Sequence, residues 1–199
     1  IQSWQKAALI LGLLESSNES SHIAAKQAVN DLIDDAGMWK KKPVAVDCGM
    51  LSFAVLKAAK DPQAVRPAMD YSIELIRKNV NDYGISYTGG RDNPEMYVDT
   101  LGLTCPFLAL YAQVYHDSQC EKLAVDQLRM YHTYGLLAGT ALPNHAFNIK
   151  SKLPLGVYGW GRGTAWYLIG LVDTYHQLQT PEYQAEVLQW ISESAQAYV

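Results

Sequence analysis

A chain of 199 residues with 49% hydrophobic and 18% charged residues can bury one sizeable core, and its length favours one domain. A formal net charge of −4 and a pI near 5.7 argue against a nucleic-acid binder, which needs a clustered surplus of Lys and Arg to neutralise phosphates; the one basic run, Lys40, Lys41 and Lys42, reads as a solvated loop. No apolar stretch reaches the roughly 18 residues of a membrane span. Cys48, Cys105 and Cys120 lack zinc-type spacing and read as reduced, structural thiols.

Apolar residues recur at helical spacing in segment after segment, and strict two-residue alternation is nearly absent, so the chain reads as all-α. It opens on a helix already under way from Trp4 to Leu14, and a cytoplasmic location is the default expectation. Eight helices are predicted near 4–15, 22–35, 48–60, 64–81, 100–116, 118–138, 162–178 and 181–198. Pro62, Pro67 and Pro181 fall near helix starts, where a missing N–H costs little, while Gly84, Gly139 and Gly156 mark exits or loops. Pro106 falls early in the fifth helix and is expected to distort its first turns.

The helices pair as hairpins, and the first helices of successive pairs begin alike. Val46-Asp47-Cys48-Gly49 compares with Val98-Asp99-Thr100-Leu101-Gly102, and the next pair opens on Trp160-Gly161-Arg162-Gly163-Thr164-Ala165-Trp166. Each of these helices is apolar nearly all round after its first turn, as a helix walled in by others must be. The second helices are amphipathic. Inner and outer rings of helical hairpins, an α/α-toroid, follow from that contrast. Polar residues at the inner-helix starts would then open on one face with the longer loops 36–46, 81–96 and 142–159. Loops rich in Tyr, Trp, Asn, Gly and His suit a carbohydrate, whose rings offer apolar faces to aromatics and hydroxyls to polar side chains.

Asp99 and Asp47 occupy matching positions. Either both are helix N-caps, a role aspartate favours, or they form a carboxyl pair in which one group is held protonated and becomes a usable acid. The string from Trp160 to Trp166 sets Arg162 between glycines and tryptophans. It is either a tryptophan-anchored helix start with a surface arginine, or an indole on which a sugar stacks with a guanidinium placed for a carboxylate or hydroxyl. His145 lies in the polar loop just before that string. His22, His116, His132 and His176 read as surface or packing residues, and a lone His145 is not a metal site.

At these residues the sequence resembles glycoside hydrolase families 88 and 105, the unsaturated uronyl and rhamnogalacturonyl hydrolases. The segment from Asn93 through Asp99-Thr100-Leu101 to Pro106-Phe107-Leu108 is similar to the family segment that carries the general acid/base aspartate, which maps that role onto Asp99. Val46-Asp47-Cys48-Gly49 resembles the segment of a second essential aspartate, and the Trp160 string resembles the W-x-R-G-x-x-W signature. The resemblance therefore implies Asp99 and Asp47 as catalytic residues and His145, Trp160, Arg162 and Trp166 as substrate-binding ones. It implies an oligosaccharide substrate whose terminal uronic acid carries a C4=C5 double bond, hydrated without metal or cofactor.

The family toroid has six hairpins and this chain supplies about four. The resemblance thus implies an incomplete (α/α)6 toroid, a partial catalytic domain over residues 1–199, with a missing segment or a second chain completing the ring. Two other readings share the fold: a non-catalytic carbohydrate-binding toroid, and an inverting glycosidase using Asp47 and Asp99 with water between them, which needs carboxyls roughly 6.5–9.5 Å apart.

Overall fold

The computed structural model describes residues 3–86 and 93–197. Among the described residues eight α-helices follow one another: α1 Ser3–Leu14, α2 Glu19–Asn30, α3 Cys48–Ala58, α4 Arg66–Lys78, α5 Val98–Tyr115, α6 Ser118–Tyr134, α7 Gly161–Tyr175 and α8 Pro181–Ala197. Contacts run from α1 to α3, α3 to α5 and α5 to α7, while α2, α4, α6 and α8 each back onto the helix that precedes them. The chain is therefore four consecutive helical hairpins in two layers, the all-α arrangement that the apolar patterning predicts.

Composition separates the layers. In α3 every residue from Cys48 to Leu56 is buried, and α5 is buried almost without interruption from Val98 to Ala112. The outer α4 buries only Ala68, Met69, Ser72, Ile73 and Ile76, at three- and four-residue spacing, as a helix with one wet face must. Fully enclosed side chains such as Phe107, Leu108 and Tyr167 each contribute about 1.5–3 kcal/mol by leaving water. Capping side chains start several elements. Asn18 accepts from the Ser20 N–H at α2, and Asp117 accepts from the Gln119 and Cys120 N–H groups at α6.

Glycines set how closely the inner helices approach. A Cβ on Gly49 would lie 2.4 Å from the Leu103 carbonyl oxygen, one on Gly102 would lie 2.6 Å from the Trp166 ring, and one on Gly170 would lie 2.9 Å from the Leu101 Cβ. Most of these contacts join the N-terminal halves of α3, α5 and α7, so the starts of the three helices open on the same face. The Trp4 ring of α1 meets Trp166 edge-on at 5.8 Å in the same region.

Three expectations need correction. The loops read as irregular carry strands: β1 Val80–Asn81 pairs with β2 Gly84–Ile85, and β3 Glu95–Tyr97, β4 Asn144–Asn148 and β5 Leu153–Tyr158 form an antiparallel sheet in that order. Residues 87–92 of the 81–96 loop lie outside the described residues. Pro154 and Gly156 disguise β5, yet both fit it, because β5 is an edge strand and Gly156 sits at an irregularity. The helix expected over 64–81 is shorter: a 3-10 turn at Pro62–Val65 leads into α4, which stops before β1. Lastly, α5 begins at Val98 and stays helical through Pro106, so its first turns keep their helical course.

The three thiols are free and buried, and burial pushes each up to about 12. The folded protein should accordingly leave all three unreacted with a chromogenic thiol reagent at pH 8, and release three equivalents only in denaturant. Close helix approach predicts opposite signs for two glycine substitutions. Gly49→Ala must push α3 from the α5 backbone and should cost about 1–3 kcal/mol, whereas Gly12→Ala, with nothing within 4 Å, should gain about 0.5–1 kcal/mol. Denaturant midpoints measure both, and equal midpoints would contradict the packing.

Candidate active site

Asp99 is the second residue of α5, and β3 leads directly into that helix. Its carboxylate is not a capping group. The residue in capping position is Tyr97, and its side chain makes no cap hydrogen bond. Asp99 Oδ2 is buried without a hydrogen-bond partner and faces His145 Nε2 at 3.7 Å. A buried carboxylate oxygen left unmatched is costly, so this atom is available to a ligand or to a tightened contact with the imidazole.

The sheet aims that imidazole. Along β4 and β5, Asn144 pairs with Tyr158 and Ala146 with Leu155, so two residues of β5 oppose the single His145 of β4. Gly156 takes a left-handed φ of +79°, and a Cβ there would lie 2.9 Å from the His145 Cβ. The irregularity thus turns His145 out of the regular ladder, as bulges beside functional sites do. Its ring is held edge-on by two aromatics, Trp160 at 4.8 Å and Tyr97 at 5.6 Å. Tyr97 in turn donates its hydroxyl to Glu95 at 2.9 Å.

Trp160 is the residue before α7. Its ring lies against Gly163, where a Cβ would come within 2.9 Å of the ring and 3.3 Å of Val98 beside Asp99. The Arg162 guanidinium sits over the indole, 4.1 Å from its centroid. Asp99, His145, Trp160 and Arg162 therefore form one continuous series of contacts. The indole carries the guanidinium, and the arrangement presents a cation, an imidazole and a carboxylate side by side.

Two further named residues lie on the neighbouring inner helices or at their starts. Trp166 is buried in the α5–α7 interface, against Gly102 and Trp4, where it sets helix spacing beneath the site. Asp47 precedes α3 and also makes no side-chain cap bond. It lines a cleft of about 410 Å³ between α1, the 36–46 loop and α3, a cleft whose lining includes neither Asp99 nor His145. Its carboxyl is held above the ordinary range, but the cause is burial. The expected like-charge coupling to Asp99 is not what raises it. His132 is a packing residue, stacked on Trp190 and bonded to the Tyr167 hydroxyl at 3.1 Å. Among the described residues no group of three His, Cys, Asp or Glu could hold a metal ion, and no helix is long and apolar enough to cross a membrane.

Tyr97, Glu95 and Gly156 were missed by sequence reasoning. The only signal for them was position: two lie just before Asp99, and the third is a glycine amid apolar residues, the pattern of a bulge.

Comparison with known proteins was made on this geometry. A family profile described as Glycosyl Hydrolase Family 88 matches residues 3–197. No curated protein matches the chain. Among solved structures, a family 105 glycoside hydrolase from C. acetobutylicum superposes with a TM-score of 0.78 at 14% identity, over 98% of this chain and 57% of that one. An unsaturated glucuronyl hydrolase from Bacillus sp. GL1, described as responsible for the degradation of glycosaminoglycan, gives 0.66 at 17% identity, over 98% and 55%. A GH76A alpha-1,6-mannanase from Salegentibacter gives 0.72 at 15%, over 100% and 61%. The fold is thus shared with helical-toroid glycosidases, and the chain spans a little over half the length of each of these structures.

The bulge predicts that Gly156→Ala is costly twice over, through its left-handed backbone and through contact with His145. A loss of about 1–2 kcal/mol is expected, with a displaced His145 imidazole resonance in NMR spectra. An unmoved resonance would mean that Gly156 does not aim the ring.

Proposed function

The chain belongs to glycosyl hydrolase family 88, and from that premise we propose that it removes a terminal 4,5-unsaturated uronic acid from lyase-generated oligosaccharides, with Asp99 as the general acid/base. The observation that carries this reading is the buried, unpartnered Asp99 Oδ2 beside His145, next to the Trp160 and Arg162 pair. A buried carboxyl with a free oxygen can hold a proton or accept one, and the chemistry asks for both in turn.

In this mechanism the Asp99 carboxyl delivers a proton to C4 of the vinyl ether, and positive charge develops at C5 and the ring oxygen. Water adds at C5, losing its proton to the Asp99 carboxylate, which restores the acid. The hemiketal so formed opens at its ring C5–O bond to a ketone, leaving a hemiacetal at C1 that releases the remaining sugar chain. Arg162 is placed for the uronate carboxylate, and its forked donors suit a planar anion. His145, locked by its two aromatic neighbours, positions the Asp99 carboxyl and can donate to a substrate hydroxyl. Trp160 holds both in register, and Trp166 fixes the helix spacing beneath them. Rhamnogalacturonan-derived substrates are the preferred class, on the Trp-Gly-Arg-Gly form of the signature. One partial toroid domain is proposed for residues 1–199, completed by further helical hairpins from elsewhere in the polypeptide or from a second chain.

Unsaturated uronides absorb in the ultraviolet, so turnover is followed as loss of that absorbance with lyase-digested pectin and glycosaminoglycan fragments. Asp99→Asn should reduce kcat by about 10²–10⁴-fold while the helical circular dichroism is retained. A folded wild-type protein that leaves every fragment unchanged would replace this reading with a binding-only toroid.

A further inference from the structure

Tyr131, near the end of α6, is wholly enclosed although it carries a polar hydroxyl. That hydroxyl donates to the carbonyl of Asn144, the buried residue just before His145. The same asparagine grips the helix end with its main chain and its side chain. Its backbone N–H donates to the Gly135 carbonyl at 2.9 Å, and its side-chain amide donates to the same oxygen at 3.1 Å. The Gly135 N–H in turn donates to the Tyr131 carbonyl at 2.6 Å. These bonds form a closed clasp between the last turn of α6 and the first residue of β4.

The clasp is tightly walled. A Cβ at Gly135 would lie 2.5 Å from the Tyr131 ring, and that ring leans on Tyr167 of α7 with centroids 6.0 Å apart. Burial pushes the Tyr131 hydroxyl above its ordinary range, and Tyr167 and the Asp99 carboxylate add to the effect. The group therefore stays a donor and lies within the field of Asp99. Asn144 is also where the irregularity of the sheet starts, since it pairs with Tyr158 whereas Ala146 pairs with Leu155. A bulge disrupts the ladder locally, so the ladder alone does not fix His145, and the residue before it is held from α6.

We propose that Tyr131 and Asn144 are positioning residues for the reaction, acting through the main chain to set the His145 imidazole against Asp99 Oδ2 at 3.7 Å. The inference rests on the hydrolase reading for its effect on rate, and on the fold alone for its effect on His145. Groups that support a site from behind hold its geometry before substrate arrives, and a small misplacement is expensive in rate. An outer helix thereby becomes part of the machinery at the inner-helix mouth.

Tyr131→Phe keeps the ring and removes the donor. In the full polypeptide with isotope-labelled histidine, the His145 ring signals are assigned by their loss in His145→Gln. In Tyr131→Phe they should be displaced, with weaker nuclear Overhauser contacts to Tyr97 and Trp160. With unsaturated fragments kcat should fall about tenfold or more while KM stays within about twofold, because Trp160 and Arg162 are held at the start of α7. Tyr115→Phe breaks a like bond, to the Pro62 carbonyl at 2.6 Å at the other end of α5, and should leave both readouts unchanged. Asn144→Ala removes only the side-chain anchor and should move the same signals less; it decides the question if Tyr131→Phe does not fold. His145 signals unmoved in the folded variant, signals moved equally by Tyr115→Phe, or a moved ring with unaltered kcat would overturn the proposal. If the wild-type protein turns over no fragment, the hydrolase reading falls and the His145 signals alone decide this one.

Discussion

Everything at the mouth of this molecule depends on how closely its inner helices can approach. Backbone meets backbone at Gly49 and Leu103, and α5 meets α7 through Gly102 and Gly170. These small residues convert three separate helices into one rigid layer, because a well-packed interior has no slack to absorb even one methyl group. The helix starts are thereby fixed in mutual position. Asp99, Val98 and Gly163 come to lie side by side although more than sixty residues of chain separate α5's start from α7's.

On that layer the three-stranded sheet acts as a positioning device. β3 feeds α5 directly, and β5 ends just before α7, so the two helices that bear the chemistry are also joined through β4. His145 reaches Asp99 only because two β5 residues oppose it and a glycine permits the fold-over. Its two aromatic neighbours then remove its rotational freedom. A side chain ordered before the ligand arrives loses less entropy when it binds, and this is the physical advantage of building the site on paired strands instead of free loops.

The electrostatics divide the same face in two. On the α5–α7 side a carboxylate, an imidazole and a guanidinium form a short series of contacts. On the α1–α3 side Lys6, Lys41 and Lys42 line a cleft with a half-buried Asp47, whose carboxyl burial holds above its ordinary range. Asp47 and Asp99 thus work in different surroundings, despite occupying matching places in their hairpins.

The hairpins, the contrast of inner and outer helices, and the polar starts of the inner helices were all legible in the sequence, because helical periodicity and burial are written in residues three and four apart. Asp99, His145, Trp160 and Arg162 were legible as residue types at those starts, and the family signature was legible as a string. The strands were not, since the pairing partners of β3 lie some fifty residues away and Pro154 and Gly156 conceal β5 locally. Nor could spacing set Asp47 against the α1–α3 cleft or Trp166 in the α5–α7 interface. Those outcomes turn on which face of a packed helix a side chain leaves and on how a bulge redirects a strand. Both are decided by contacts between segments distant in the chain, and only the tertiary structure supplies them.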